Sequence, residues 1–238
     1  MVFTNATFTR LTYAQAIDDI PGVGTPSDAQ LSLIQRQAPK GVIYHAENFV
    51  SVPILVSHNF MSHSNGVWHS DSLEAMARLF PGHPIALDHN WDEVESAVGF
   101  IYDAFTIRTI DAPINILNAA DYFDVNRQIL AKDGFIALIL QAAFPVASAA
   151  AMAIGESRAR YVSTGGLASR ETTCPHCNTS FDDPLCPHDE PHPLTLYFYG
   201  DDPSFNFATH YIRGQFLAAI ESSLVVMGNL PGAEILRG

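Results

Sequence analysis

Three cysteines and a histidine fall within fifteen residues of this 238-residue chain, in the stretch "TCPHCNTSFDDPLCPH". Two residues lie between Cys174 and Cys177, eight between Cys177 and Cys186, and one between Cys186 and His188. Thiolates at C-x-x-C spacing wrap half a tetrahedron from one tight turn, and a second "CPH" turn supplies the rest, which is an arrangement that zinc favours. His176 or His192 can take the place of His188, since one histidine completes the set. Four committed ligands leave no coordination position for water or substrate. The expected group is therefore a structural Zn2+ that folds an insertion at about 172–193, and not a catalytic metal. With no other cysteine in the chain a paired disulfide framework is excluded, which points to a reducing compartment.

A second group of residues is scattered. "ALDHN" carries His89, "YVSTGG" carries Ser163 and "AIESSLV" carries Glu221, each within or at the end of strand-like sequence. Serine is a weak nucleophile at neutral pH until a histidine within hydrogen-bond reach takes its proton and a third group orients the imidazole. Singly, each residue reads as ordinary: a turn serine, a solvated loop histidine, a structural carboxylate. Glu221 is the exception that asks for a partner, because an unpaired charge on the apolar run "FLAAIESSLVVM" costs several kcal/mol in order of magnitude. A histidine satisfies it. Asp88, Asp92, His58 and His69 are the other groups available to orient His89.

The elements that must position these groups follow from periodicity. Residues 1–39 read as a loosely structured N-terminal arm with one short helix near Ala29 to Arg36, and 40–238 as a single larger domain. "GVIYHAENFVSVPILVS", Gly41 to Ser57, is rich in β-branched and aromatic residues and fits two strands. Asp71 and Glu74 resemble a capping pair for a helix with Leu73, Met76, Ala77 and Phe80 on one face, stopped by Pro81-Gly82. Strands at Ile85 to Leu87 and Val98 to Arg108 flank the loop that holds His89, and a helix is expected near Asp121 to Ala131. "RARYVSTGGLASR" enters the cysteine knot as a strand, "LTLYFYG" leaves it as another, and "GQFLAAIESSLVVMGNLPGAEIL" is a last long β element ending in a Pro-Gly turn. Many strands and few helices in non-alternating order give an α+β class, a bent sheet or β-barrel core with peripheral helices.

Composition narrows the function. Twelve Lys+Arg against 25 Asp+Glu give a net charge of -13, which repels phosphate backbones and argues against a zinc-dependent nucleic-acid module. Phe135 to Ile154 is a twenty-residue uncharged run, but Gln141, Pro145, Ser148 and several alanines dilute it, so it reads as two buried helices, one suited to a subunit interface, and not as a membrane span. The N-terminus lacks a basic start followed by an apolar run, so no signal peptide is expected.

The three scattered stretches also resemble, in order, a known family: the prohead, or capsid-maturation, proteases of tailed bacteriophages, related in fold to the herpesvirus assembly proteases. "PIALDHNWDEVESAVGFIYDAF" is similar to the family's histidine-bearing strand and loop, "YVSTGGLA" to its VS-x-G nucleophile strand, and "ESSLVVMGNLPGAEI" to its final strand and turn. Some members place a CxxC…CxH zinc knot between the second and third stretches, as here. Thr164 and Ser222 depart from the family's aliphatic residues, and "MGNLPGA" is a loose form of its terminal turn. The resemblance implies a herpesvirus-protease-like fold and a serine endopeptidase with Ser163 as nucleophile, His89 as general base and Glu221 as the orienting third member. Gly165 and Gly166 would let backbone N–H groups approach an oxyanion. It further implies major capsid protein and scaffolding protein as substrates and partners, self-cleavage, a homo-oligomer, and a place in the prohead interior within the host cytoplasm, with no nucleic-acid or membrane partner. The alternative is a catalytically inactive, protease-like capsid or assembly protein.

Overall fold

The computed structural model describes residues 11–62, 64, 66–90, 93–117, 123–169, 171–191, 208, 210–225 and 230–236. Its centre is a closed seven-stranded β-barrel in an α+β chain. The barrel strands are β1 (Phe49–His58), β3 (Pro84–Leu87), β4 (Gly99–Thr109), β5 (Phe135–Pro145), β6 (Tyr161–Ala168), β8 (Phe216–Val225) and β9 (Glu234–Ile235), in the circular order β1-β5-β4-β3-β8-β6-β9. A parallel two-stranded sheet of β2 (Gly66–Val67) and β7 (Tyr211–Ile212) lies apart from the barrel ladder. No helix among the described residues is long and apolar enough to cross a membrane.

Burial explains the strand that the sequence hides. The uncharged run does not form two helices: Phe135 to Pro145 is β5, and only Ala149–Gly155 is helical (α6). Every residue of β5 from Phe135 to Phe144 is buried. Ile136, Leu138, Leu140, Ala142 and Phe144 fill the barrel interior, while Phe135, Ala137 and Ile139 pack outward under Leu55, Phe60 and Ile116. Burial on both faces erases the period-2 alternation, which leaves a continuous apolar run that periodicity cannot tell from a helix.

The flanking elements depart from expectation in smaller ways. Gly41 to Ser57 contains one strand, preceded by a 3-10 turn at Ala46–Asn48, where two strands were expected. Helix α3 (Ser70–Leu79) sends Leu73 and Met76 into the interior cluster, and Phe80 follows them. Its cap is not the Asp71/Glu74 pair but His69, whose Nδ1 accepts the Asp71 N–H at 3.3 Å. Strands β3 and β4 pair antiparallel around the His89 loop, with Pro84 opposite Phe100 and Ile85 opposite Gly99. Helix α5 occupies Phe123–Asp133, and the expected strand "LTLYFYG" lies outside the described residues.

Residues 11–39 form two short helices, α1 (Tyr13–Asp18) and α2 (Asp28–Arg36), each started by a capping box, Thr12 with Gln15 and Ser27 with Gln30. Both dock on the barrel. Tyr13 packs edge-on against Phe135, and Gln30 Nε2 donates to Ser51 Oγ at 3.0 Å and to Tyr102 Oη at 2.9 Å. A fourth short helix, α4 (Ile114–Leu117), adds Ile116 to the outer cluster.

Candidate functional site

Strands β6 and β8 run antiparallel with Val162 opposite Leu224, Ser163 opposite Ser223 and Gly165 opposite Glu221. Val162 and Leu224 belong to the interior cluster, so the period-2 pleat sends Ser163, Gly165, Glu221 and Ser223 to the outer wall together. Directly opposed residues hold their Cβ atoms about 5 Å apart, which brings the Ser163 and Ser223 side chains side by side. On the other flank of β8, β3 pairs parallel with Ile85 opposite Ser222 and Leu87 opposite Leu224.

The chain leaves β3 through an unusual turn. Asp88 donates its N–H to Leu224 O at 3.1 Å, and Asp88 and His89 then both take positive φ, 48° and 60°. Asp and His tolerate this region better than most residues, but it still costs about 1 kcal/mol each. Strain of this kind, once observed, is a reason to look for function. Here it turns the imidazole back over β8. His89 Nδ1 lies 2.7 Å from Glu221 Oε1, the His89 N–H donates to Ser223 Oγ at 3.1 Å, and the Ser223 hydroxyl donates to Glu221 Oε2.

The environment of the pair is lopsided. Glu221 is 1% exposed while the His89 side chain is 44% exposed. A carboxylate taken out of water needs its hydrogen bonds, and Glu221 has one on each oxygen. Glu221 also requires Gly165: a Cβ at that position would collide with Glu221 Oε1. Gly166 is likewise accounted for by packing, since a Cβ there would meet the Phe216 ring.

Among the described residues, no hydrogen bond joins the Ser163 hydroxyl to the imidazole. Two of the alternatives for orienting His89 are engaged elsewhere. His58 is fully buried, donates from Nε2 to Pro231 O at 2.7 Å and accepts the Phe60 N–H at Nδ1, and burial pulls its pKa down to about 4 against the opposing pull of the Pro231 carbonyl. His69 caps α3, and Asp92 lies outside the described residues. Ser223 is a further participant, bonded to both His89 and Glu221. Its signal was present in "ESS", because residues two apart on a strand share a face.

Cys174, Cys177, Cys186 and His188 form the second cluster, with all four ligand atoms within 4.8 Å of one another, a group that can hold a metal ion. His188 Nδ1 is 3.6 Å from Cys174 Sγ, 3.3 Å from Cys177 Sγ and 4.0 Å from Cys186 Sγ. A tetrahedron with bonds of about 2.3 Å to sulfur and about 2.0 Å to nitrogen has S···N edges of about 3.5 Å, so the spacing is compatible with zinc. Burial works against ionising Cys174, yet backbone N–H groups of Cys177 and His176 outweigh it and hold the thiol below its ordinary range. His176 stacks its ring 5.0 Å from that of His188 and is not one of the four, and His192 lies outside the described residues. The knot is anchored through Thr173, which exchanges both backbone hydrogen bonds with Ile212 of β7 at 2.9 Å.

Comparison of the chain with protein-family models, with curated proteins and with solved structures finds no match.

Proposed function

We propose that this chain is a serine endopeptidase with a herpesvirus-protease-like barrel, acting in bacteriophage capsid maturation on capsid-protein and scaffold segments and on itself. The observation that carries the reading is the 2.7 Å contact of His89 Nδ1 with the buried Glu221, on the same barrel face as Ser163. The reading joins that geometry to the resemblance of the three motifs.

The chemistry follows from which ring nitrogen is engaged. With the Nδ1 proton donated to Glu221, the neutral imidazole carries its lone pair on Nε2, where it can accept the Ser163 proton as the oxygen attacks a peptide carbonyl. The imidazolium so formed sits against a buried carboxylate and is stabilised by it. It then returns the proton to the leaving amine, and the same nitrogen takes a proton from water to release the acyl group. Ser223, bonded to both partners, locks the carboxylate in place. Cys174, Cys177, Cys186 and His188 would hold a structural zinc, which would fold the knot and take no part in the reaction.

One observation favours a second reading, an inactive protease-like assembly protein: the Ser163 hydroxyl is not hydrogen-bonded to His89. Catalytic contacts often tighten only when substrate binds, which keeps the enzyme reading first. Expression with and without Ser163→Ala, alone and beside the capsid protein, separates the two. Cleavage products lost in the variant support the peptidase, and identical band patterns support the inactive homologue.

A further inference from the structure

A turn within the cysteine knot presents a leucine to solvent. Cys186 donates its N–H to Asp183 O at 2.9 Å and Leu185 donates its N–H to Asp183 Oδ1 at 2.8 Å, which closes Asp183-Pro184-Leu185-Cys186 into a tight turn. Asp at the first position and Pro at the second both favour it. Leu185 is nevertheless 83% exposed, more than any other large apolar side chain among the described residues. Its surroundings are acidic. Residues 171–212 carry seven carboxylates and no lysine or arginine, and Asp182, Asp183, Asp189 and Glu190 lie within five residues of Leu185. One exposed leucine needs no explanation, but one fixed at the apex of a hydrogen-bonded turn amid carboxylates has the form of an anchor.

A groove of opposite character lies between the end of β4 and α5. It encloses about 890 Å³, and its lining combines the apolar Ile110 and Leu130 with three cations, Arg108, Arg127 and Lys132, and one carboxylate, Asp133. The three cations are exposed, and Ile110 is half exposed. A quarter of the 12 Lys+Arg thus line one groove of a chain whose net charge is -13. The knot of the same chain does not fill it. Pro175 and Asn178 line a separate cavity of about 490 Å³ with Arg108 and Lys132, and no residue from 181 to 190 lines either space.

We infer that the groove receives the knot turn of a second copy of this chain, with Leu185 against Ile110 and Leu130 and the neighbouring carboxylates against Arg108, Arg127 and Lys132. Charge complementarity selects the occupant: an apolar knob flanked by carboxylates meets an apolar groove flanked by cations. Knob and groove are separate surfaces, so two copies that exchange knobs close a dimer, and head-to-tail contacts close a ring. Burying one leucine is worth about tenfold to hundredfold in affinity, whereas exposed charge pairs add less and fade with salt. The contact uses none of Ser163, His89 and Glu221 and stands apart from the peptidase reading.

Sedimentation equilibrium of the full chain, with Ser163→Ala present to prevent self-cleavage, measures the association. A reversible oligomer that weakens as salt is raised is expected, with Leu185→Ser raising Kd at least tenfold. Two charge-reversed variants make the test specific, a groove variant with Arg127→Glu and Lys132→Glu and a knob variant with Asp182→Lys and Glu190→Lys, all at exposed positions. Each alone should be monomeric where the parent associates. Mixed in equal amounts they should associate again, because the reversed knob of one meets the reversed groove of the other while the remaining knob and groove are those of the parent. Should a variant unfold, the single reversals Lys132→Glu and Glu190→Lys replace the pairs. A parent that stays monomeric to near-millimolar concentration, an oligomer unmoved by Leu185→Ser, or a mixture that does not associate overturns the inference. A monomeric parent that binds fluorescent hexaglutamate, with binding lost in the groove variant, gives the groove to a foreign acidic partner and overturns it likewise.

Discussion

Gly165→Ala tests the His89–Glu221 pair with a single methyl group. Gly165 lies in β6 opposite Glu221 and does not have a positive φ, so alanine fits its backbone, and in isolation the exchange should stabilise the strand by about 0.5 kcal/mol. The added Cβ, however, would overlap Glu221 Oε1, the oxygen bonded to His89 Nδ1. To reach ordinary contact the carboxylate must move by about 1 Å, a displacement that can cost about 100-fold in a catalytic arrangement. The oxygen cannot be rehydrated at 1% exposure, so weakening a charge-assisted hydrogen bond there should cost about 2 kcal/mol, or roughly 4–8 °C in Tm for a domain of this size. Urea unfolding and cleavage of co-expressed capsid protein are measured in the parent, Gly165→Ala, Glu221→Ala and the double variant. With Glu221 truncated the methyl has space, so its effect on stability should vanish or turn slightly favourable, giving a coupling of about 2 kcal/mol. A methyl that costs the same in both backgrounds would show that Gly165 is not kept small by Glu221, and the account of the pair would be wrong.

Other expectations rest on separate parts of the molecule. His58 has a folded-state pKa of about 4 against 6.5 when free, so the unfolded chain takes up the proton first as pH falls. The contribution of its neutral form is whole above pH 6.5 and is lost progressively towards pH 4, about 3 kcal/mol in all, and denaturation midpoints should show a shallower acid slope in His58→Gln. Tyr102 Oη donates to the buried Gln141 Oε1 at 3.0 Å and receives Gln30 Nε2 from α2, so Tyr102→Phe should cost about 1–3 kcal/mol and raise proteolytic nicking within residues 11–39. Metal analysis should find about one zinc per chain, and chelation or Cys174→Ser should expose the 172–191 segment to hydrogen exchange before the barrel. Because Thr173 pairs with Ile212, that loosening should also alter Trp68 emission through Arg213.

The parts of this fold that could be read in the sequence are those where one face of an element meets water. The face of Leu73, Met76 and Phe80 recurs at helical spacing among polar residues, in step with its structure. The four ligands of the knot are legible for a different reason, since local spacing alone brings them together. Strand β5 was illegible because both of its faces are buried, and the cap at His69 because imidazole is a rare cap acceptor set beside two acidic residues. Residues that act through long-range packing leave no local trace. Arg213 is brought to Trp68 and Ser62 by the β2–β7 pairing across about 145 residues of chain, and nothing near it in sequence announces that it is buried.

The order of the elements on the barrel wall explains why three weak motifs come to share one face. β8 is the shared element: it carries Glu221 and Ser223, pairs antiparallel with the Ser163 strand on one side and parallel with β3 on the other. A parallel neighbour delivers the end of β3 beside Leu224, three residues past Glu221, and only a reversal can bring the next side chain back to Glu221. The consecutive positive-φ residues Asp88 and His89 supply that reversal. Replacing Asp88 by a β-branched residue such as valine should therefore straighten the turn and separate His89 from Glu221 with no change to either side chain. The signature would be loss of the coupling between His89→Ala and Glu221→Ala in a double-mutant cycle, while Asp88→Gly, which accepts the same φ, should preserve it.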